Sequence, residues 1–392
     1  MIQSFNFKST PSLIFGAGKI MELPNLLGQF GKRLLIVAGG SSFTSGPVWP
    51  TLEMTLMQNG FSLALCRIDN EPTPADIDQI SDQYREENID AVIAIGGGSV
   101  LDTGKAVSAM LAENGSVADF LEGVGTRKPS GLKVPFIAVP TTSGTGSEAT
   151  SNAVICSVGP EGFKKSLRHD KFIPDLALLD PQLTISCPRE LTISCGMDTF
   201  SQLVEAYLST NASPITDALA LTGIRTVIQS LPQAIADGNN LEARSDLCYG
   251  SYLSGIVLAN AGLGTVHGFA SALGGYFPIP HGIVCGTLMA AANMSALEQL
   301  LTEPESQPTA IALSKYAALG RMIKEETTSQ VEDARAFISY LVNLTESLHL
   351  PKLSSFSISY EDLEKVVATS SNKYNPVQFT DEQLLQILRA RL

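Results

Sequence analysis

The residues whose types and spacing most clearly indicate chemistry lie in the second half of the chain. The stretch CGMDTFSQLVEAYLS, residues 195–209, has helical spacing and places Asp198 and Gln202 on one face, beside its apolar side. Of four histidines, His267 and His281 are close in sequence, and each precedes a glycine. A carboxylate and two imidazoles would form an open three-ligand site suited to Zn²⁺ or Fe²⁺. We predict this site, with Gln202 as a weak fourth ligand or an orienting residue.

These residues could also have purely structural roles. A carboxylate near a helix terminus is often a cap, and a lone buried histidine is more often a satisfied core residue than a ligand. The combination of two such histidines with Asp198 favours the metal site. The remaining histidines, His169 and His349, have no comparable candidate ligands near them in the sequence. We predict that they are structural or surface residues.

Two loops rich in glycine and hydroxyl residues predict a nucleotide site. AIGGGSVLDTGKAVSAM (94–110) reads as a strand, three glycines and a helix start, where unpaired N–H groups can bind an anion. VPTTSGTGSEATSNAVI (139–155) follows another predicted strand. Neither matches GxGxxG or a P-loop, so each alone is also compatible with a tight turn. Two such loops at the carboxyl ends of neighbouring parallel strands favour ligand binding.

The elements that must position these residues differ between the two halves. The first half alternates buried strands with helical spacing, which predicts a parallel sheet with helices on both faces. The predicted strands are 33–39, 61–68, 90–98 and 135–142, and the helices between them are 47–59, 74–88 and 99–113. From about residue 188 helical patterns dominate, at 214–230, 242–260, 309–324, 330–349 and 381–391. We therefore predict an α/β domain over 1–185, an all-α domain over 186–392, and a cleft between them.

Composition excludes several classes of function. The formal net charge of −13 argues against a nucleic-acid surface. The N-terminus lacks a signal or transit pattern, and no uncharged apolar run reaches the roughly 18 residues of a membrane helix. The six cysteines form no CxxC pair, which predicts neither disulfides nor a thiolate metal site and suits the cytoplasm. They are Cys66, Cys156, Cys187, Cys195, Cys248 and Cys285.

Taken together, four motifs resemble the iron-containing (group III) alcohol dehydrogenase family. They are GGGSVLDTGKA, PTTSGTGSEAT, GMDTFSQLVEAYLS and HGFASALGG…PHG, and the match runs in register from about residue 5 to the C-terminus. The resemblance implies a nucleotide-binding α/β domain followed by an all-helical domain, an architecture shared with dehydroquinate synthase. It also implies reversible hydride transfer between NAD(P)H and a small aldehyde or ketone, and a homodimer.

The resemblance also assigns residues by position. Gly97, Gly98 and Ser99 correspond to the pyrophosphate loop, and Asp102 to a residue near the nicotinamide. Lys164 corresponds to a lysine that approaches the ribose. The second nucleotide loop corresponds to Thr141, Thr142, Thr145 and Ser147, and the metal positions to Asp198, His267 and His281.

Three departures from the family pattern matter. Gln202 stands where the family usually has a histidine ligand, which predicts weaker metal binding or an altered metal preference. Ser271 replaces a histidine proposed as a proton carrier, so the proton would travel through water, a hydroxyl or the cofactor ribose. NAD-preferring members often carry Asp at the end of the first strand, and here Gly39 occupies that position, followed by Gly40 and Ser41. We expect NADPH to be accepted, the alternative being that the glycines form a tight turn and NAD is used.

Other functions of the same architecture remain open. A metal-free reductase similar to the maleylacetate reductases would polarise the carbonyl with protein donors alone. A cyclase or lyase of the dehydroquinate-synthase type would recycle the cofactor, and a non-catalytic nucleotide-binding protein would lack turnover. The substrate is unspecified by the sequence; Arg168 is a candidate for an acidic substrate. Aromatic pocket candidates are Phe163, Phe269, Tyr276 and Phe277.

Overall fold

The N-terminal half is built on a parallel sheet. The computed structural model describes residues 4–40, 42–324 and 326–392. Within them a six-stranded sheet has the order β1-β8-β5-β4-β2-β3, with all neighbours parallel, and β6 and β7 form a separate antiparallel pair. The strands are β1 Ser12–Phe15, β2 Arg33–Gly39, β3 Ser62–Ile68, β4 Ala91–Gly96, β5 Phe136–Pro140, β6 Asn152–Ser157, β7 Phe163–Arg168 and β8 Leu176–Leu179.

The strand order creates a crevice at the sheet edge. The chain runs from β2 outward to β3 and returns to β4 on the other side of β2, so the direction of winding reverses between β2 and β4. Open α/β sheets bind ligands at the carboxyl ends of the strands beside such a reversal. The loops that follow β2, β4 and β5 begin at this edge. Strands β4 and β5 are buried along their whole length, which is why they read as continuous apolar runs.

Helices cover the sheet and then form the second half of the chain. The first half contains α1 Leu23–Leu26, α2 Val48–Gln58, α3 Pro74–Tyr84 and α4 Gly98–Met110. The second contains α5 Arg189–Leu208, α6 Pro214–Ala236, α7 Leu241–Ala261, α8 Thr265–Tyr276, α9 His281–Thr302, α10 Gln307–Arg321, α11 Gln330–Ser347, α12 Leu363–Thr369 and α13 Asp381–Arg389. Helix α5 runs through the middle of the helical half and is buried from Gly196 to Leu208. Its whole circumference is therefore packed, so polar residues on it require partners.

The predicted elements agree with the observed ones at their centres. Several elements were not predicted from the sequence: the edge strand β1, the short strand β8, the hairpin β6–β7 and the helices α1, α8, α9 and α12. Strands β1 and β8 each have only four residues, too few for a periodicity. In the hairpin, β6 is half buried and apolar at its centre, whereas β7 is mostly polar. The hairpin packs against α4 and α8 beside the crevice.

In the described part of the chain, no single helix is both long and apolar enough to cross a membrane. The consecutive helices α7 and α8 pass that test as a pair, but they are bent by 99° at the break between them. Gly262 adopts a φ of 73° at this bend, a left-handed conformation that favours glycine. The bend turns the first residues of α8 back toward α5.

Candidate metal and nucleotide site

A cavity of about 330 Å³ lies between the sheet edge and the helical half. It brings together residues that the sequence analysis assigned to two separate roles. The predicted nucleotide residues that line it are Gly98, Ser99, Asp102, Thr145, Ser147 and Lys164, and the predicted metal residues are Asp198, Gln202, His267 and His281. Both sets therefore face one enclosed space.

Other predicted nucleotide residues lie near the cavity without lining it. Gly39 ends β2, Gly97 precedes α4, and Thr141 and Thr142 follow β5 at the same edge of the sheet. Gly40 forms the turn after β2 with a φ of 32°. Ser41, predicted beside it, lies outside the described residues.

The predicted metal residues converge at one end of the cavity. Oδ1 of Asp198 lies 3.3 Å from Nε2 of His267 and 3.5 Å from Nε2 of His281. The thiol of Cys285 joins them, with Sγ 3.6 Å from Nε2 of His267. One donor atom from each of these four residues lies within 4.8 Å of all the others. Cys285 was not predicted as part of this cluster, because it belongs to no CxxC pair and His267, its neighbour in space, lies 18 residues away in the sequence.

Close helix packing explains how these residues meet. Asp198 lies on α5, His267 near the start of α8, and His281 and Cys285 on the first turns of α9. A Cβ at Gly282 would lie 2.1 Å from the backbone oxygen of Ser194 on α5. The missing side chain therefore allows α9 to approach the α5 backbone directly. This contact sets the distance between Asp198 and the residues of α9.

A second carboxylate on α5 orients His267. Oε2 of Glu205 is 2.6 Å from Nδ1 of His267, and Oε1 accepts a hydrogen bond from the backbone N–H of Val266 at 2.7 Å. Glu205 thus caps the N-terminus of α8 and fixes the imidazole with Nδ1 as the donor. When the imidazole is neutral, the lone pair of Nε2 is then directed toward Asp198. Sequence analysis missed Glu205, although it follows Asp198 by seven residues, two helical turns along the same face of α5.

Burial and close contacts shift the pKa values of these groups in opposite directions. Burial lowers the pKa of His281 to about 4, so this imidazole is neutral at neutral pH. Burial also opposes charging of His267, but interactions with Cys285, Asp198 and Glu205 prevail and raise its pKa well above the usual value. Burial raises the pKa of the Cys285 thiol to about 12. Metal binding at such a site must therefore displace protons.

The donor set fits a divalent transition metal. Around zinc, with bonds of about 2.1 Å to nitrogen or oxygen and about 2.3 Å to sulfur, tetrahedral neighbours are roughly 3.4–3.6 Å apart. The measured separations of 3.3, 3.5 and 3.6 Å lie close to that range. In addition, Nδ1 of His281 is buried and has no hydrogen-bond partner among the described residues. Carboxylate, imidazole and thiol together suit Zn²⁺ or Fe²⁺.

Gln202 lines the same end of the cavity. Its amide oxygen lies 2.6 Å from the hydroxyl of Ser254 on α7, and that hydroxyl also lies 2.7 Å from the carbonyl oxygen of Ser251. A hydroxyl has only one hydrogen to donate, so these two oxygens compete for it. The contact with Ser254 gives the amide a protein partner at the position where the family resemblance predicted a histidine.

At the opposite end of the cavity the two nucleotide loops pack against each other. A Cβ at Gly98 would lie 2.5 Å from Cγ2 and 2.9 Å from Oγ1 of Thr145. The space left by this glycine is thus filled by the second loop, and not only reserved for a ligand. The first turn of α4, with Ser99, is open to the cavity. Its unpaired N–H groups make that end suitable for an anion.

A buried polar network ties these loops together. Nζ of Lys105 donates to the backbone oxygen of Ser147 at 2.7 Å and to oxygens of Thr150 and Asn152 at 3.0 and 2.8 Å. The hydroxyl of Ser147 donates to Asp102 at 2.5 Å, and the N–H of Val154 donates to the same carboxylate at 3.0 Å. Burial raises the pKa of Asp102 and lowers that of Lys105 to about 8. Asp102 is therefore bound to protein groups on both oxygens.

A carboxylate stands beside the turn that follows β2. A Cβ added at Gly40 would lie 2.9 Å from Oδ1 of Asp69, which directly follows β3. The N–H of Gly40 also donates to the carbonyl of Ile68 at 3.1 Å. The expectation that NADPH is accepted rested only on the residues at the end of β2 and directly after it. The neighbouring strand supplies the acidic group.

The remaining cavity residues define its chemical character. Lys164 pairs with Glu71 at 2.5 Å, and the hydroxyl of Ser271 donates to the backbone oxygen of Lys164 at 3.0 Å. Arg168 lines the cavity and pairs with Glu122 at 2.9 Å. The aromatic pocket candidates Phe163, Phe269, Tyr276 and Phe277 do not line it and pack in or against the cores instead. The apolar lining comes from Pro72, Val154, Leu258 and Leu263.

Comparison with known proteins covers almost the whole chain. Residues 10–181 match the family described as iron-containing alcohol dehydrogenase, and residues 192–392 match its C-terminal part. The chain is 34% identical to the NAD-dependent methanol dehydrogenase of Bacillus methanolicus over 71% of this chain and 72% of the relative. It is 32% identical to alcohol dehydrogenase 4 of Saccharomyces cerevisiae over 98% of this chain and 97% of the relative.

Solved structures give the same answer. The alcohol dehydrogenase of Oenococcus oeni superposes with a TM-score of 0.86 at 28% identity, covering 99% of this chain and 100% of that one. The sheet and the helical half are thus a shared architecture. The chain belongs to the iron-containing alcohol dehydrogenase family.

Proposed function

We propose that the protein is a metal-dependent, NAD-linked alcohol dehydrogenase that interconverts small alcohols and aldehydes. The observation that carries the proposal is the convergence of Asp198, His267 and His281 at one end of a cavity whose other end is the N-terminus of α4. In this proposal residues 1–185 bind the dinucleotide and residues 186–392 hold the metal. Relatives named as methanol and 1,3-propanediol dehydrogenases support small alcohols as the substrate class.

The residues present have distinct tasks in this reaction. A divalent cation held by Asp198, His267 and His281 would polarise the substrate oxygen, while the nicotinamide would exchange a hydride with the carbon. Glu205 holds Nδ1 of His267 as a donor, so that Nε2 stays available as a ligand atom. The apolar side chains of Leu258 and Leu263 border the same cavity and reduce its content of water.

The proton of the alcohol needs a route without a histidine at position 271. The hydroxyl of Ser271 donates to a backbone oxygen, so its hydrogen is committed to the fold. The half-buried Lys164–Glu71 pair lines the cavity. We therefore assign proton exchange to water that enters beside this pair, and we assign no acid–base role to Ser271.

The cofactor preference follows from the turn after β2. An acidic side chain near the adenosine ribose accepts hydrogen bonds from the diol and repels a 2′-phosphate. Asp69 supplies a carboxylate beside Gly40, although Gly39 lacks one. We therefore propose NAD as the preferred cofactor, as in the NAD-dependent methanol dehydrogenase relative.

The primary test is elemental analysis of protein purified without oxygen and without a metal-affinity tag, followed by NADH oxidation with an aldehyde panel. We expect stoichiometric metal, turnover with small aldehydes, and loss of turnover on chelation that metal restores. Full NADH-dependent turnover in metal-free protein would reject the metal-dependent reaction and favour a metal-free reductase. Absence of any turnover with bound metal would reject the dehydrogenase itself.

The cofactor assignment has a separate test. Asp69→Ala should raise the ratio of kcat/KM for NADPH to that for NADH by about tenfold or more, equivalent to about 1.4 kcal/mol. Asp82→Ala, which removes an exposed carboxylate of α3, is the matched control and should leave the ratio unchanged. An unchanged ratio in Asp69→Ala would show that Asp69 does not select the cofactor.

A further inference from the structure

We infer that Cys285 is a metal ligand in this protein. It would supply the fourth ligand in place of the histidine that the family resemblance predicts at position 202, where this chain has Gln202. The inference rests on the proposed metal site and specifies its donor set. The ligands would be a carboxylate, two imidazoles and a thiolate from Asp198, His267, His281 and Cys285. A thiolate ligand in turn predicts a preference for Zn²⁺ over Fe²⁺.

The position of Cys285 on α9 supports this role. It follows His281 by four residues, so both side chains lie on one face of the helix. Its sulfur lies 3.6 Å from Nε2 of His267, close to the separation of roughly 3.6 Å expected for nitrogen and sulfur around one zinc ion. The sulfur is also within 4.8 Å of ligand atoms of Asp198 and His281. The thiol thus has contacts with the whole cluster.

The four residues of the cluster differ in whether they face the cavity. Asp198, His267 and His281 line the cavity, whereas Cys285 is fully buried and does not line it. An ion held among the four groups would have sulfur on the protein side. The cavity side would remain available to substrate. A thiolate in this position would therefore complete the donor set without blocking the reaction.

Gln202 is the competing candidate for a fourth ligand. Its amide oxygen already has a partner in Ser254, and a neutral amide is a weaker donor to zinc than a thiolate. Gln202 is better explained as a link between α5 and α7 at the border of the cavity. The charge balance also differs, since two anionic ligands neutralise a divalent cation and one does not.

Metal binding by Cys285 involves one proton and no electrons. The S–H bond breaks, the sulfur forms a bond to the metal, and the proton passes to solvent. Deprotonation by a bound metal is usual for a coordinating thiol. The metal itself is therefore the only additional reactant.

The decisive experiment uses Co²⁺ as a spectroscopic substitute for Zn²⁺ in the metal-free full-length protein. A thiolate bonded to Co²⁺ gives a charge-transfer band in the near ultraviolet, and bound Co²⁺ of any ligation gives weaker visible bands. We expect both kinds of band in the unmodified protein. Cys285→Ala and Cys285→Ser should lose the ultraviolet band and bind zinc more weakly by more than about 100-fold, beyond the usual effect of an outer contact. Cys248→Ser, which alters another buried thiol, is the control and should keep the band.

The possible results separate this inference from the proposed function. Visible bands without the ultraviolet band in the unmodified protein would overturn thiolate ligation and leave the metal site standing. An ultraviolet band that persists in Cys285→Ala would assign it to another cysteine and would also overturn the inference. Failure of the unmodified protein to bind Co²⁺ or Zn²⁺ would reject the metal site and this inference with it.

Metal competition gives a second readout. We expect the ratio of Zn²⁺ to Fe²⁺ affinity to fall in Cys285→Ser, because hydroxyl oxygen lacks the affinity of sulfur for the softer ion. The Cys248→Ser control should keep the ratio of the unmodified protein. An equal ratio in all three proteins would overturn the predicted preference.

Discussion

The two ends of the cavity are both buried and polar, but they differ in how completely their groups are bonded. At the nucleotide end, Lys105 contacts several oxygens and Asp102 accepts hydrogen bonds on both carboxylate oxygens. At the metal end, Nδ1 of His281 has no partner among the described residues, and Nε2 of His267 and Nε2 of His281 both lie near the same oxygen of Asp198. One cluster is complete within the protein, and the other is not.

This difference indicates which polar cluster needs a ligand. A buried polar group without a partner costs about 1–3 kcal/mol, so folds normally pair such groups. The network at Lys105 meets that requirement and holds the two loops in place. In the cluster at Asp198, Nδ1 of His281 has no partner among the described residues, and the ligand atoms that face one another could hold a cation. Two buried clusters of similar composition therefore differ in role: one is structural, and the other binds a metal in the proposed function.

Removal of an imidazole from the incomplete cluster should have the largest effect. We expect His267→Ala to lose metal and to lower kcat/KM by at least about 1000-fold, since a metal ion contributes several kcal/mol to such a reaction. Metal content and steady-state rates measure both losses. His349→Asn changes an exposed histidine with a φ of 51° and should retain both. Metal-independent activity in His267→Ala would remove the functional distinction between the two ends.

The complete cluster should respond through stability. Lys105→Met leaves Asp102 buried without its positive neighbour, and we expect it to lower the free energy of unfolding by about 3–5 kcal/mol. His281→Ala, in metal-free protein, should cost less than about 1 kcal/mol because Nδ1 makes no hydrogen bond. Denaturant unfolding with chelator measures both variants, and exposed Lys373→Met serves as the control. Equal losses would mean that the metal cluster is also structural.

A substitution at Glu205 tests whether its hydrogen bond to Nδ1 of His267 supports metal binding. Glu205→Gln preserves the shape of the side chain but removes its charge from His267, so we expect metal affinity to fall by about 10–100-fold. Competition with a chromophoric chelator measures the change. Exposed Glu298→Gln on α9 should leave the affinity unaltered. Unchanged affinity in Glu205→Gln would show that the hydrogen bond orients nothing.

The smallest effect is expected where the two nucleotide loops meet. Gly98→Ala would place a methyl group 2.5 Å from Cγ2 of Thr145, and we expect the KM for NADH to rise by roughly tenfold because overpacking costs about 1–3 kcal/mol. Thr145→Ser removes that methyl group and should restore much of the affinity in the double variant. Measured KM values in a double-mutant cycle test this coupling. Additive effects would show that the loops bind the cofactor independently.

The sequence predicted the elements with clear periodicity and missed those without it. Strand β2 was predicted at its observed bounds, because its mostly apolar run of seven residues ends at a glycine, Gly39. The hairpin β6–β7 was not predicted, because most of β6 was included in the second loop, 139–155, and because β7 is mostly polar. The aromatic residues proposed for the pocket, such as Phe269, belong to the core instead, because a large apolar side chain gains more from complete burial.

By itself, the sequence determined the fold class, the presence of two glycine-rich loops and the residue types of a metal cluster. Those properties depend on local periodicity and on rare residues that stand out in any reading, as Asp198 and two histidines do here. Only the tertiary structure placed Cys285 and Glu205 beside His267, and Asp69 beside the turn at Gly40. Each comes from another element than the residue it contacts, and the distances follow from packing, such as the approach of α9 to α5 at Gly282. The roles of such residues depend on neighbours in space, which spacing along the chain does not specify.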